Sequence, residues 1–214
     1  MHYFVTGATG FIGKRLVKTL LARRGTTVHF LLRAESADKV PALLEYWGVG
    51  KARAIPVFGD LGAKKLGVSA DDLKALKGQV DAAIDAGHFH HVSSIAAAGL
   101  YEGVFREDMF DEAENLEHPY FMTKHESEKI VRKECKVPWT VYRPAFVVGD
   151  SQTGEMDKID GPYYFFKLIQ RMRQILPPWM PSVGLEGGRI NIVPVDFVVA
   201  AIAHISPHHA RASG

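Results

Sequence analysis

Residues 6–13 run Thr6-Gly7-Ala8-Thr9-Gly10-Phe11-Ile12-Gly13, with glycines every third position, and this stretch decides the fold. Before it, His2–Val5 is a short apolar run with the character of a buried strand. After it, Ile12, Leu16, Val17, Leu20 and Leu21 recur at helical spacing as far as Arg24, with Lys14, Arg15, Lys18 and Arg23 off that face. Gly25 stands where a helix C-cap belongs. Glycine permits a tight turn and a close approach of backbone to a pyrophosphate. The helix that follows offers free N–H groups and the positive end of its dipole. Thr6, Gly7, Thr9, Gly10, Phe11, Ile12 and Gly13 are therefore the expected cofactor contacts. The bland alternative is a glycine turn with no ligand, but strand before and helix after favour a nucleotide.

Working outward, Thr27–Leu32 and Ala54–Phe58 read as a second and a third strand, with a helix expected over 37–46. Strands alternating with helices at this rhythm imply right-handed crossovers and a parallel sheet. The expected class is α/β, a Rossmann-type doubly wound sheet with helices on both faces. Twenty residues beyond Gly13, at the end of the second strand, stands Arg33. An acidic residue there would bind the ribose 2′-OH of NAD, whereas a guanidinium suits a 2′-phosphate. NADPH/NADP+ is the expected cofactor, with Lys39 a weaker second contact. Gly59-Asp60-Leu61 closes the third strand, which makes Asp60 and Leu61 candidate adenine neighbours.

The second half continues the pattern. Residues 88–92 form another apolar strand ending in Ser93-Ser94, and His118-Pro119 opens a helix expected to reach Lys133. Residues 140–142 and Phe146–Val148 flank Arg143-Pro144. Residues 150–189 are rich in Asp, Gly, Pro and aromatics and read as a small substrate lobe. Residues 190–205 return to the core as a strand and helix, leaving a tail at 206–214. Tyr120 and Lys124, at i and i+4, share one helix face. A phenol, with an ordinary pKa of about 10, is a poor acid at neutral pH unless a nearby cation stabilises its anion. Lys124 can do this and also bond the nicotinamide ribose. Tyr120 would then give its proton to a substrate oxygen that Ser94, in preference to Ser93, helps to hold. A second Tyr-x-x-x-Lys pair, Tyr163 and Lys167, follows every candidate Ser strand and reads as part of the lobe.

Other features read plainly. The chain has 214 residues, 26 Lys+Arg against 24 Asp+Glu, a net charge of +2 and one cysteine, Cys135. That balance excludes electrostatic nucleic-acid binding, and one cysteine excludes a disulfide scaffold. No apolar run approaches the ~20 residues of a membrane span, so a cytoplasmic enzyme without an integral membrane segment is expected. His88, His90 and His91 lack carboxylate or Cys partners at ligand spacing and read as strand histidines; no metal is expected. Glu126, Glu128, Lys129, Arg132 and Lys133 read as a solvated helix face. Tyr163, Phe166, Ile169, Trp179 and Met180 pack the lobe or wall an acyl channel. Arg171, Arg173 and Arg189 are possible contacts for CoA phosphates.

TGATGFIG, Arg33, GDL, HVSS, the Tyr120/Lys124 pair and RPAFVVG resemble an extended short-chain dehydrogenase/reductase. HFHHVSSIAAAGL, FREDMFDEAENLEHPYFMTKHESEK and TGEMDKIDGPYYFFK resemble, more narrowly, the N-terminal reductase domain of bacterial fatty acyl-CoA reductases. The resemblance implies NADPH-dependent reduction of a fatty acyl-CoA or a long-chain aldehyde, Pro144 beside the cofactor, and a second reductase domain as partner. It also divides the chain into a cofactor core over 1–149, the lobe over 150–189 and the return over 190–205. A segment is expected to be missing near Asp81/Ala82, because a further strand and its crossover do not fit into 61–87. Two alternatives stay open: a nucleotide-sugar epimerase or dehydratase, which would retain NAD tightly, and a non-catalytic NADP-sensing module.

Overall fold

The computed structural model describes residues 1–76, 87–156, 171 and 191–209. β1 (His2–Val5), β2 (Thr27–Leu32) and β3 (Ala54–Phe58) pair in that order as a parallel sheet, in the register Tyr3↔Val28 and Phe30↔Pro56. Among the described residues β3 is an edge strand, where Pro56, lacking an N–H, costs no ladder bond. α1 (Phe11–Leu21) crosses between β1 and β2 and ends on Ala22 rather than Gly25. Gly25 instead takes φ +72° in the turn that leads into β2. The helix expected over 37–46 is a 3₁₀ turn, Ala34–Lys39, followed by α2 (Val40–Trp47). Pro41 sits in the first turn of α2, where its missing N–H leaves no helical bond unmade, and Val40 before it is already helical at φ −56°, ψ −47°.

β2 has five of its six residues buried because both faces are covered. On one side Val17, Leu20 and Leu21 of α1 and Trp47 of α2 pack on Val28, Phe30 and Leu32. Trp47 meets the Phe30 ring edge-on at 5.0 Å, and its indole N–H donates to the Lys14 carbonyl at 2.9 Å. On the other side Leu31, Val57 and Val68 form a smaller cluster. This is the continuous apolar run expected of a strand inside a parallel sheet.

Beyond β3 come α3 (Ala70–Leu76) and then β4 (Phe89–Val92), which pairs in parallel with β5 (Trp139–Tyr142). β6 (Phe146–Val148) pairs in parallel with β7 (Ile192–Pro194). α4 (Pro119–Glu134) links β4 to β5, and α5 (Val195–His209) follows β7 and packs on α1. The architecture is the α/β Rossmann-type fold that the sequence predicts, its described strands falling into three hydrogen-bonded sets. The sequence at Asp81/Ala82 and the lobe residues 157–170 and 172–189, Tyr163 and Lys167 included, lie outside the described residues.

One sequence expectation fails here. Glu128 belongs to no solvated face: it is fully buried, and Arg132 is mostly covered. Glu128 accepts from Arg132 Nε at 2.9 Å and from Arg143 Nη2 at 2.6 Å and Nε at 3.1 Å. Glu126 and Lys129, paired at 2.9 Å, do sit on the exposed side. The helical period places Glu128 inside because it lies four residues past Lys124, on the face that meets the sheet.

Candidate active site

The phosphate turn has the geometry its glycines require. Gly7 takes φ +69°, and the N–H of Gly10 donates to the Gly7 carbonyl at 2.9 Å. Thr6, Gly7, Thr9 and Gly10 are exposed, while Ala8 is buried beneath them. A Cβ on Gly13 would stand 2.1 Å from the Gly7 carbonyl oxygen, so the helix start can lie against the turn only with glycine there. The exposed turn at the head of α1 thus fits a dinucleotide pyrophosphate. Gly13→Ala is expected to cost about 1–3 kcal/mol through this overlap, read as a lower urea midpoint, and to weaken NADPH binding with it. An unchanged midpoint and affinity would contradict the close approach.

Arg33 directly follows β2, with its side chain 67% exposed and its Nη1 3.2 Å from Glu35 Oε1. A 2′-phosphate would have to replace Glu35 as its partner. Arg33→Ala is expected to raise KM for NADPH about tenfold and leave that for NADH unchanged. Equal effects on the two coenzymes would remove Arg33 from the site. Asp60 is exposed beyond β3, and its Oδ1 accepts from the Gly62 N–H at 2.8 Å, closing its own turn. Leu61 is 62% exposed and lines one cavity with Thr6, Gly7, Ile12 and Gly13. Pro144 lines a different cavity, with Ile95 and Phe105.

Ser94 leaves β4 as the cap of a short turn, Ile95–Ala98, and its Oγ accepts from the Ala96 N–H at 3.2 Å. Ser93 is buried, with its Oγ lacking a hydrogen-bond partner. α4 begins at Pro119, where His118 Nδ1 accepts from the Tyr120 N–H at 3.2 Å. Tyr120 is half exposed, and Lys124 Nζ lies 5.9 Å from its ring centroid. α4 packs directly on the Ile95–Ala98 turn. The buried His125 fastens them, its Nδ1 3.0 Å from the Ala97 carbonyl and its ring stacked on Phe110 at 4.2 Å. The Ser94 turn and the Tyr120/Lys124 helix are thereby one packed unit.

Two residues named in the sequence have contacts that their pattern did not indicate. His91, on β4, has its pKa lowered by burial first and then by the Lys124 charge, against a smaller opposite pull from Glu128, which favours a neutral ring. Arg143 follows β5 and ties α4 to the preceding loop: besides pairing with Glu128, it donates to the carbonyls of Arg106 at 3.3 Å and Met109 at 2.8 Å. The position of Arg143 before Pro144 and the i+4 step from Lys124 to Glu128 were the available signals. His90 lies in β4 as expected, and His88 immediately precedes the strand. His88 Nε2 lies 2.8 Å from Thr140 Oγ1, and His90 Nδ1 lies 3.0 Å from the Tyr142 hydroxyl, whose pKa burial pushes up to about 12.

The glycine turn after the first strand is that of an NAD-binding domain. The family model described as male sterility protein, an NAD-binding domain, matches residues 5–88 and 83–202, and the chain belongs to this family. It is 28% identical to a linear gramicidin synthase of Brevibacillus parabrevis, over 94% of this chain and 5% of that protein. That alignment runs over 250 residues, more than the 214 of the chain. It is 26% identical to the large subunit of L-2-aminoadipate reductase of Penicillium chrysogenum, over 99% of this chain and 19% of that protein. The chain therefore spans a small part of these relatives' length. Among solved structures, the terminal R domain of the myxalamid pathway superposes with a TM-score of 0.75 at 24% identity, covering 96% of this chain and 62% of that one. UDP-glucuronic acid 4-epimerase from Bacillus cereus superposes at 0.62 with 20% identity, covering 96% and 73%. Among the described residues no helix is long and apolar enough to cross a membrane.

Proposed function

We propose that the chain is an NADPH-dependent reductase that converts an acyl thioester, fatty acyl-CoA foremost, to the aldehyde, or a long-chain aldehyde to the alcohol. The observation that carries this reading is the helix bearing Tyr120 and Lys124, fastened to the Ser94 turn through His125 and Ala97. Thr6, Gly7, Thr9, Gly10, Phe11, Ile12 and Gly13 would hold the pyrophosphate, Arg33 the 2′-phosphate, Asp60 and Leu61 the adenine end, and Lys124 and Pro144 the nicotinamide end. The bound coenzyme would supply a hydride to the carbonyl carbon. Ser94 would hold the carbonyl oxygen by its hydroxyl, and Tyr120 would give that oxygen its proton. Lys124, on the same face, would stabilise the phenolate left behind. From a thioester, the hemithioacetal so formed would give up its hydroxyl proton as the carbon–sulfur bond breaks, and the departing sulfur would take up a proton, leaving the aldehyde and the free thiol.

The aldehyde branch draws on a relative named aldehyde reductase lnbA, 30% identical over 55% of this chain. The thioester branch draws on relatives named as peptide synthetases and aminoadipate reductase. In this reading 1–149 is the cofactor core, 150–189 the substrate lobe and 190–205 the return to the core. A second reductase domain is a possible partner, and the cytoplasm is the setting. The test is NADPH consumption with long-chain aldehydes and with acyl-CoA of graded length. Turnover supports the reading, and binding without turnover favours a sensing module. NAD retained at one equivalent in the isolated protein favours the epimerase alternative.

A further inference from the structure

Ser94 and the Tyr120/Lys124 helix belong to different elements, and Arg143 touches both. β4 and β5 keep their register past their ends. The Ser93 and Ile95 N–H groups, one on each side of Ser94, donate to the carbonyls of Tyr142 at 2.8 Å and Pro144 at 3.1 Å, one on each side of Arg143. The backbone of Ser94 therefore lies beside that of Arg143. The Arg143 side chain, 13% exposed, crosses to α4 and grips the fully buried Glu128 with both prongs of its fork. Nη2 meets Oε1 at 2.6 Å and Nε meets Oε2 at 3.1 Å. Tyr120, Lys124 and Glu128, at i, i+4 and i+8, form one stripe of α4. A helix rises 1.5 Å per residue, so the Glu128 contact stands about 6 Å below Lys124 and about 12 Å below Tyr120.

A second tie joins the same two parts, from His125 Nδ1 to the Ala97 carbonyl at 3.0 Å. One contact lets a helix swing about it. Two contacts, about 4.5 Å apart along the axis of α4, fix its direction as well as its distance. The loop before α4 closes the corner. Its Arg106 and Met109 carbonyls accept from Arg143, and its Phe105 ring lies 5.1 Å from the guanidinium. Phe110 touches His125, at 4.2 Å between rings, and the Arg132 guanidinium, at 4.6 Å. A lysine cannot take the place of Arg143. An ammonium is one point of charge, whereas this fork serves two carboxylate oxygens and two carbonyls at once.

The geometry points to Arg143 as a positioning residue: its backbone carries Ser94, and its side chain sets where Lys124 and Tyr120 stand relative to that hydroxyl. It acts through Ser94 and Glu128 rather than on the reacting atoms. A hydroxyl and a proton donor that share one substrate oxygen must both come within about 3 Å of it, and a misplacement of about 1 Å costs about 100-fold in rate. Arg132, with Nε at 2.9 Å, keeps the Glu128 carboxylate paired when Arg143 is replaced. The inference rests on the reductase reading for its turnover readout but not for its exchange readout.

The test compares Arg143→Lys, Glu128→Gln and the double variant with the parent chain. Titration with NADPH counts the folded sites, and kcat for aldehyde reduction is expressed per site. Arg143→Lys is expected to lower that kcat about 10–100-fold with the NADPH Kd unchanged, a split that loss of folded protein does not produce. Glu128→Gln is expected to lower it less, and the double variant no further than Arg143→Lys, because both act through one contact. Full turnover per site in Arg143→Lys, or losses that multiply in the double variant, overturn the proposal and leave the reductase reading intact. If Arg143→Lys does not fold, Glu128→Gln decides: a drop of at least about fivefold per site supports the role, and a smaller one overturns it. If no chain turns over, the parent included, the reductase reading falls and amide exchange decides. The Ala97 and Gly99 amides donate to the Ser94 and Ala96 carbonyls in the Ser94 turn. Exchange there at least about tenfold faster in the variants supports the positioning role, and equal protection overturns it.

Discussion

Tyr120→Phe is expected to lower kcat for aldehyde reduction by about 10²–10⁴-fold while leaving NADPH affinity unchanged, the range for loss of a positioned proton donor. The substitution removes one hydroxyl from a half-exposed side chain and leaves the ring, so folding should be untouched. Lys124 Nζ keeps its place 5.9 Å from that ring, and the His118 cap holds the backbone N–H rather than the phenol. A drop in kcat with a constant melting temperature and constant coenzyme Kd is the signature sought. Equal rates in the Phe variant would remove Tyr120 from the chemistry and shift attention to the Ser93 and Ser94 hydroxyls.

Glu128→Ala is expected to cost about 3–5 kcal/mol of stability, because it leaves two guanidinium groups facing a buried space without their carboxylate. Arg143 would still hold the Arg106 and Met109 carbonyls, but α4 would lose its tie to the end of β5. Glu128→Gln should cost less, since it keeps an acceptor and the shape. The pH dependence has a definite sign. Burial pushes the Glu128 carboxyl up, but hydrogen bonds from Arg143 and Arg132, with their charges, outweigh it and hold the pKa below its ordinary value. A carboxyl depressed in the folded state contributes stability above its unfolded pKa of about 4.3 and loses it as pH falls through the folded value. Urea midpoints of parent and Glu128→Ala chains should therefore differ most at neutral pH and converge in acid. The exposed Glu126–Lys129 pair, by contrast, should change little when removed.

Elements with a strong local period were legible. The order of β1, α1, β2, α2 and β3 follows from alternating runs of period 2 and 3.6, and the phosphate turn follows from glycines at 7, 10 and 13. Gly25 was misplaced as a cap because helix ends depend on which carbonyls find donors, and Ala22 serves that role here. Glu128 and Arg132 looked solvated because a charged helical period does not reveal which stripe meets a strand. His125 carries no local signal, since its partner, the Ala97 carbonyl, lies 28 residues away.

By itself the sequence determined the class of fold, the place of the nucleotide turn and the pairing of Tyr120 with Lys124 on one helix face. Each depends on spacing within a few residues, which backbone geometry converts directly into position. Only the tertiary structure decided that Arg143 neutralises a buried Glu128 and that His125 joins α4 to the Ser94 turn. Those depend on which faces meet across long separations in the chain, where burial and electrostatics choose among partners that the local pattern leaves equal.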